Sequence, residues 1–266
     1  MPRVKINSIQ LYYEITGSGL PVVFLNGLTM DVNGWLLQLE AFGRKYRVLR
    51  YDCRDQGHSD KSDVEYSQED HALDLKKLLD KLEIPRAHLI GLSNGGMIAQ
   101  HFALLYPEST GALVLVDTCS YVDTLLELIV TSWIRAAEAG GSGLRYEVAL
   151  PYLFSESFAK MNLDKMRASR EMNLAINPAE STIRLAKASK GHDLRGRLSE
   201  IKAPTLILVG EEDILIPPRY SRILSEEIEN STLITLKNCG HVAPIEQPEE
   251  FNRIVLNFLK DSDSLL

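Results

Sequence analysis

The chain has 266 residues, of which 45% are hydrophobic and 24% charged, close to average usage in soluble proteins. Its 29 lysines and arginines against 36 aspartates and glutamates give a net charge of −7, which disfavours a protein that coats nucleic acid or an anionic membrane. No apolar run approaches the roughly 18 residues of a spanning helix, and the first residues lack a leader-like apolar stretch. The sequence therefore predicts a cytoplasmic protein.

Short apolar runs alternate with helical patterns along most of the chain. Residues 4–7 and 10–16 are predicted to form two strands of a hairpin. Six later runs lack the alternation of a half-exposed strand, and such runs are typical of parallel strands buried on both faces. They lie at residues 21–25, 46–51, 87–92, 112–116, 205–209 and 232–236.

Predicted helices separate these strands. In residues 68–82, Leu75, Leu78, Leu79 and Leu82 recur on one face at helical spacing, and charged residues occupy the other faces. The other helices are predicted at residues 34–45, 94–106, 218–228 and 248–259. The alternation of strand and helix predicts an α/β fold with a mostly parallel, doubly wound sheet and right-handed crossovers.

The alternation stops in residues 119–200. Apolar residues recur there at helical spacing, which predicts a helical cap inserted into a core formed by residues 1–118 and 201–266. Residues 140–143 read G-G-S-G and predict a flexible joint within the cap. Helices are expected around residues 125–137, 146–153, 158–172 and 183–188.

The clearest chemical motif is G-L-S-N-G at residues 91–95, which joins a predicted strand to a predicted helix. A serine at such a tight turn adopts strained backbone angles, and a Cβ at position 91 or 95 would collide with neighbouring backbone. The Ser93 hydroxyl would then stand at the positive end of the helix, which favours a nucleophile. The alternative is a glycine-rich turn that Ser93 merely caps.

This strand, turn and helix resembles the α/β-hydrolase superfamily, and the resemblance covers nearly the whole chain. Residues 210–217 read G-E-E-D-I-L-I-P, similar to the family's G-x-x-D-x-x-x-P stretch, and residues 240–241 match its G-H motif. The family order of serine, acid and histidine implies a triad of Ser93, Asp213 and His241.

The three residue types fit one kind of reaction. A serine hydroxyl becomes a good nucleophile when a neutral imidazole takes its proton, and a carboxylate fixes the tautomer of that imidazole. The resemblance implies that the main-chain N–H groups of Leu28 and Asn94 form the oxyanion hole. Asn26 stands where the family usually has histidine, and Asp117, after another predicted strand, is the alternative acid.

A second loop, residues 51–60, reads Y-D-C-R-D-Q-G-H-S-D and is similar to the family's Y-D-x-R-G-x-G-x-S-D. We interpret Asp52 and Arg54 as structural residues that brace loops around the site. Asp55 replaces a family glycine, which is expected to alter the turn. The loop match favours a non-catalytic role for His58.

No cofactor and no metal ion are predicted. The chain has neither a dinucleotide-binding nor a phosphate-binding glycine loop, and no histidine pair has the i, i+4 spacing of a helical metal site. Cys53, Cys119 and Cys239 are irregularly spaced and are expected to be small buried residues.

The sequence thus predicts a serine hydrolase that cleaves a small carboxylic ester or lactone through an acyl-enzyme on Ser93. The resemblance is strongest to the 3-oxoadipate enol-lactonase and carboxylesterase branch. Alternatives of the same fold are a carbon–carbon bond hydrolase, a cofactor-free perhydrolase and an acyltransferase. A ligand-binding signalling receptor with little turnover is an alternative of another class. The expected partner is a small-molecule substrate, without nucleic acid or membrane, and a homodimer is left open.

The cap composition bears on the substrate. Aromatic and methionine side chains of the cap are candidates for an acyl pocket, although most are expected to pack in the cap itself. They are Trp133, Tyr146, Tyr152, Phe154, Phe158, Met161, Met166 and Met172. An arginine that points inward would pair with a substrate carboxylate, as an enol-lactone of a keto acid requires, although a solvated position is the default. The candidate arginines in this segment are Arg135, Arg145, Arg167, Arg170 and Arg184.

Overall fold

The computed structural model describes residues 2–266, which form eight strands and nine α-helices. The strands are β1 (Arg3–Ile6), β2 (Ile9–Thr16), β3 (Leu20–Leu25), β4 (Tyr46–Tyr51), β5 (Ala87–Leu92), β6 (Thr110–Val116), β7 (Thr205–Gly210) and β8 (Ser231–Leu236). The helices are α1 (Leu36–Gly43), α2 (Gln68–Lys81), α3 (Asn94–Leu105), α4 (Thr124–Ala149), α5 (Glu156–Ile176), α6 (Ala179–Lys190), α7 (Pro218–Glu227), α8 (Ala243–Glu246) and α9 (Pro248–Ser262).

All eight strands belong to one sheet, in the order β1-β2-β4-β3-β5-β6-β7-β8. The predicted hairpin is present, since β1 pairs antiparallel with β2, and β2 pairs antiparallel with β4. All the other pairs are parallel. The predicted α/β fold with a mostly parallel sheet is therefore confirmed.

The centre of the sheet is buried on both faces. Every residue of β5, β6 and β7 is buried, which explains why these strands read as continuous apolar runs. One face packs in a cluster that includes Leu75 of α2 and Phe102 of α3. The other face packs in a cluster that includes Phe42 of α1 and Phe251 of α9. The three cysteines are buried, as predicted.

The parallel strands end at one edge of the sheet. Leu25 at the end of β3 pairs with Gly91 near the end of β5, and Gly210 at the end of β7 pairs with Leu236 at the end of β8. The loops that follow these strands therefore meet at this edge, where α/β folds commonly bind their ligands.

Three helices, α4, α5 and α6, lie between β6 and β7 in the chain, where the sequence predicts a cap. The predicted joint at residues 140–143 is a kink inside α4, because Gly141 has φ 66° and ψ −167°, outside the helical region. The helix predicted for residues 146–153 is instead the end of α4 followed by a 3₁₀ turn, Leu150–Tyr152. The boundaries of core and cap stay a prediction. No helix within residues 2–266 is long and apolar enough to cross a membrane.

Candidate active site

Ser93 occupies a strained turn between β5 and α3. Its φ of 53° and ψ of −114° lie in a region that residues with a side chain rarely adopt. A Cβ on Gly91 would stand 2.4 Å from the Gly95 carbonyl oxygen, and one on Gly95 would stand 2.1 Å from the Leu25 carbonyl oxygen. Only glycine fits at these two positions, so the G-x-S-x-G spacing is a direct requirement of this turn.

Asp213 and His241 meet across the loops that follow β7 and β8. The His241 Nδ1–H donates to Asp213 Oδ2 at 2.8 Å, and both side chains are buried. Asp213 Oδ1 accepts the backbone N–H groups of Leu215 and Ile216, each at 2.9 Å. These bonds fix the carboxylate and leave Nε2 of His241 as the nitrogen available for proton transfer.

Asp117, the alternative acid, does not pair with His241. Its Oδ1 accepts the N–H of Gly210 at 2.8 Å, and its Oδ2 accepts the N–H of Ala243 at 3.4 Å. Burial, reinforced by the nearby charge of Asp213, raises the pKa of the Asp117 carboxyl well above its ordinary value. Asp117 therefore braces the two loops that carry Asp213 and His241.

Ser93 and His241 line the same cavity, which has a volume of about 610 Å³ and a largely apolar wall. No hydrogen bond joins these two side chains in the described residues 2–266. Trp133 from α4 and Met172 from α5 complete the wall on the cap side.

The two predicted oxyanion-hole residues lie beside Ser93. Leu28 and Asn94 line a small cavity of about 30 Å³ that also contacts Ser93. Asn94 is the first residue of α3, where backbone N–H groups have no partner inside the helix. Its side chain accepts a hydrogen bond from Gln68 Nε2 at 2.6 Å, which fixes its orientation.

Asn26 is a buried connector of loops. Its Nδ2 donates to the Tyr51 carbonyl oxygen at 3.0 Å and to Asp52 Oδ1 at 3.1 Å, and its Oδ1 accepts from Trp35 Nε1 at 2.9 Å. All these contacts are to the protein scaffold. Asn26, which stands where the family usually has histidine, therefore braces the loops around this edge of the sheet.

The loop of residues 51–60 also has structural contacts. Arg54 Nε donates to Asp74 Oδ2 at 2.7 Å, and Asp52 Oδ2 accepts the N–H of His58 at 2.8 Å. Burial raises the pKa of Asp52 to about 6. These contacts agree with the interpretation of Asp52 and Arg54 as bracing residues.

The backbone conformation and hydrogen bonds of Asp55 account for an aspartate at a position where the family has glycine. It adopts a positive φ of 67°, a conformation that aspartate tolerates better than most residues. Its carboxylate accepts two hydrogen bonds from Arg184 of α6, at 2.8 and 2.9 Å, and the N–H of Ser62 at 3.0 Å. Asp55 thus adopts a left-handed conformation that glycine would also adopt. Its carboxylate connects the loop of residues 51–60 to helix α6.

Sequence reasoning missed a polar cluster around Thr29, which directly follows Leu28. Thr29 has a φ of 59°, which is rare for a β-branched residue. Its carbonyl oxygen accepts from Asn173 Nδ2 at 3.1 Å and Asn177 Nδ2 at 2.9 Å, and its hydroxyl accepts from Arg145 at 3.3 Å. The i, i+4 spacing of the two asparagines was the available signal, and it indicates only that they share a helix face.

Glu246 was also missed. It accepts the N–H of Gly240 at 3.0 Å and the hydroxyl of Ser155 at 2.6 Å. Gly240 precedes His241, and Ser155 precedes α5. Glu246 thus connects the loop that carries His241 to the start of helix α5.

Half of the predicted pocket side chains of the cap line the large cavity. Trp133, Tyr146, Phe154 and Met172 contribute to its wall. Met161 does not line this cavity and is 77% exposed.

A mostly parallel sheet, a strained serine turn at the end of a central strand and an aspartate–histidine pair in one cavity together define the α/β hydrolase class. Residues 21–248 match the family model described as alpha/beta hydrolase fold. The chain belongs to this family.

Three similar proteins show the range of the family. A 2-hydroxy-6-oxononadienedioate/2-hydroxy-6-oxononatrienedioate hydrolase of Pseudomonas putida is 33% identical, over 95% of this chain and 92% of its own. A provisionally named carbamate hydrolase of Azorhizobium caulinodans is 26% identical, over 99% of this chain and 100% of its own. The enol-lactonase structure from Burkholderia xenovorans LB400 has a TM-score of 0.92 and 26% identity, and covers 97% of this chain and 100% of its own.

Proposed function

We propose that the protein hydrolyses a small carboxylic ester or lactone through an acyl-enzyme on Ser93. The observation that carries this proposal is the hydrogen-bonded pair of Asp213 and His241, which opens onto the cavity that contains the strained serine turn. A nucleophile, a base and a group that orients the base are the minimum set for acyl transfer by serine.

In the first half of the reaction, Ser93 Oγ attacks the carbonyl carbon while His241 Nε2 takes the hydroxyl proton. The carbonyl oxygen becomes an oxyanion that accepts hydrogen bonds from the N–H groups of Leu28 and Asn94. When the tetrahedral intermediate collapses, the bond from the carbonyl carbon to the alcohol oxygen breaks. The leaving oxygen takes the proton from His241, and the acyl group remains on Ser93.

In the second half, water takes the place of the alcohol. His241 removes a proton from the water, the hydroxide oxygen bonds to the acyl carbon, and the same N–H groups bind the new oxyanion. Collapse breaks the bond to Ser93 Oγ, which regains its proton from His241, and the carboxylic acid product leaves. For a lactone, the alcohol and the acid remain parts of one open-chain product.

A second candidate is hydrolysis of a carbon–carbon bond. It is favoured by the 33% identity to the Pseudomonas putida hydrolase, which exceeds the 26% identity to the enol-lactonase. Both reactions leave an acid product and use the same cavity, so a direct comparison of substrates is needed.

The proposal is tested with a fluorophosphonate probe and a substrate panel. The probe is expected to label one residue, Ser93, and Ser93→Ala is expected to abolish both labelling and hydrolysis. Ser132→Ala is the matched control, because its hydroxyl is at the surface of α4 and bonds only to the Ile129 carbonyl oxygen. The panel contains short p-nitrophenyl esters, simple lactones, carboxylate-bearing lactones and a 2-hydroxy-6-oxo-dienoate.

Two results would contradict the proposal. Labelling that persists in Ser93→Ala would show that another residue is the nucleophile. Labelling of Ser93 with turnover only of the dienoate would favour the carbon–carbon hydrolase instead.

A further inference from the structure

Arg145 of α4 is a buried cation in the wall of the active-site cavity. The residue is only 3% exposed, and it lines the cavity together with Ser93 and His241. Its two terminal nitrogens donate to neutral oxygens at long distances, to Thr29 Oγ1 at 3.3 Å and to Asn173 Oδ1 at 3.2 Å. Its Nε has no partner.

The charge of Arg145 has no counterion within residues 2–266. Burial lowers the pKa of its guanidinium to about 10, so the group still carries a positive charge at neutral pH. Asp31 is the lining residue with a carboxylate, and that carboxylate bonds to Asn33 instead. A buried charge without a partner is costly, and proteins normally pair it.

The arginines of α5 and α6, unlike Arg145, have acidic partners. Arg184 pairs with Asp55 at 2.8 Å, Arg170 with Glu147 at 3.1 Å, and Arg167 with Asp164 at 3.9 Å. Arg135 is exposed to solvent. Arg145 is therefore the cap arginine that the structure places inward and leaves without a carboxylate.

The buried side-chain atoms that line the two cavities and have no hydrogen-bond partner are all donors. Within the described part of the chain, those that belong to lining residues are Arg145 Nε, Trp133 Nε1 and Asn94 Nδ2. All three are hydrogen-bond donors. A complementary ligand is one that brings acceptor oxygens into an otherwise apolar space.

We propose that Arg145 is a specificity-determining residue that binds a free carboxylate of the substrate. The substrate class is then a short ester or lactone with a second, anionic carboxylate near the scissile carbonyl. The carboxylate is expected near the scissile carbonyl because Arg145 contacts Thr29. Thr29 directly follows Leu28, the expected oxyanion donor. This inference rests on the proposed function and extends it from the reaction to the substrate.

The test compares two lactones of nearly the same shape, one with a carboxylate and one with a neutral primary amide: 5-oxotetrahydrofuran-2-acetic acid and its amide. The wild-type kcat/KM is expected to favour the acid by about 10- to 100-fold, the usual effect of a hydrogen bond to a charged group. Arg145→Met is expected to bring the ratio of the two kcat/KM values close to one. Arg145→Lys is expected to keep part of the preference, because the charge remains without the planar fork.

Arg170→Met is the matched control, because Arg170 pairs with Glu147 and Glu171 outside the cavity. It should keep the wild-type ratio. Equal wild-type kcat/KM values for acid and amide, or a preference that survives in Arg145→Met, would overturn the inference. Thermal melting and circular dichroism establish that each variant is folded, and Arg145→Lys still gives a result if the methionine variant does not fold.

A binding measurement separates this inference from the proposed function. Ser93→Ala is titrated with the acid lactone by calorimetry, and we expect binding that is lost in the Ser93→Ala, Arg145→Met double variant. If no lactone is hydrolysed although the acid binds through Arg145, the proposed function fails and the anion site stands. If both lactones are hydrolysed equally and the acid binds no better than the amide, the function stands and the anion site fails.

Discussion

At the scale of single residues, hydrogen-bond partners distinguish Asp213, the acid that the family motif predicts, from Asp117, its alternative. Both follow strands of the parallel sheet, and both are buried. Asp213 bonds to an imidazole, whereas Asp117 bonds only to backbone N–H groups. Asp213 is therefore in direct contact with the imidazole, whereas Asp117 supports the two loops on either side of that contact.

The first prediction compares the two conservative variants. Asp213→Asn is expected to lower kcat by about 10⁴-fold, because the amide stabilises the wrong tautomer of His241. Asp117→Asn, the matched control, is expected to lower kcat by less than about tenfold, since its Oδ1 can still accept from Gly210. Steady-state kinetics on the best panel substrate gives both values. If Asp117→Asn has the larger loss, the acid has been assigned to the wrong residue.

The second prediction concerns the pH dependence of stability. The pKa of Asp117 is raised in the folded state, so the folded protein holds this proton at pH values where the unfolded chain, with a pKa near 3.9, has lost it. The wild-type free energy of unfolding therefore falls as the pH rises from about 4 towards the raised value. Asp117→Asn does not titrate, and its Tm relative to wild type is expected to increase with pH.

Melting curves from pH 4 to pH 8 measure this difference. Asp164→Asn is the control, because Asp164 is fully exposed on α5. The pH dependence of the Tm difference is expected to be larger for Asp117→Asn than for this exposed variant. A constant difference for Asp117→Asn would show that Asp117 is ionised in the folded protein throughout.

At the scale of elements, α6 is attached to the core by an ion pair that is mostly buried. Arg184 is 19% exposed at its side chain and Asp55 is not exposed at all, and the contact is bidentate. One turn along the same helix, Lys187 pairs with Glu65 while both side chains are at least half exposed. The same helix thus offers a buried and a solvated ion pair to neighbouring parts of one core loop.

The third prediction uses this pair of contacts. Arg184→Met is expected to lower the free energy of unfolding by about 3 kcal/mol, because the charge of Asp55 is left buried without its partner. Lys187→Met is expected to leave it unchanged within error, because water screens the exposed pair. Urea unfolding gives both values. A similar loss in the two variants would show that burial of Asp55 does not determine the strength of this attachment.

At the scale of the whole molecule, core and cap build the cavity together. The core provides Ser93 and His241, and α4 and α5 provide Trp133, Arg145 and Met172. Thr29, beside the expected oxyanion donor, accepts hydrogen bonds from the cap. The shape of the cavity around Ser93 therefore depends on how helices α4 and α5 pack against the core.

The sequence by itself determined the features that rest on local backbone requirements. The parallel strands can be predicted from the sequence because burial on both faces selects apolar runs. The Ser93 turn can be predicted because Gly91 and Gly95 occupy positions where a Cβ does not fit. The pairing of Asp213 with His241 was predicted from the resemblance to the family motifs, and the common edge at which parallel strands end explains why the two loops meet.

Only the tertiary structure decided the contacts between distant segments. Sequence spacing shows that Arg145 and Arg184 belong to the cap, but not that one faces the cavity and the other pairs with Asp55. It likewise does not show that Asn177 contacts Thr29. The physical reason is that helical periodicity fixes which residues share a face, whereas the direction of that face depends on how the helices pack against the rest of the molecule.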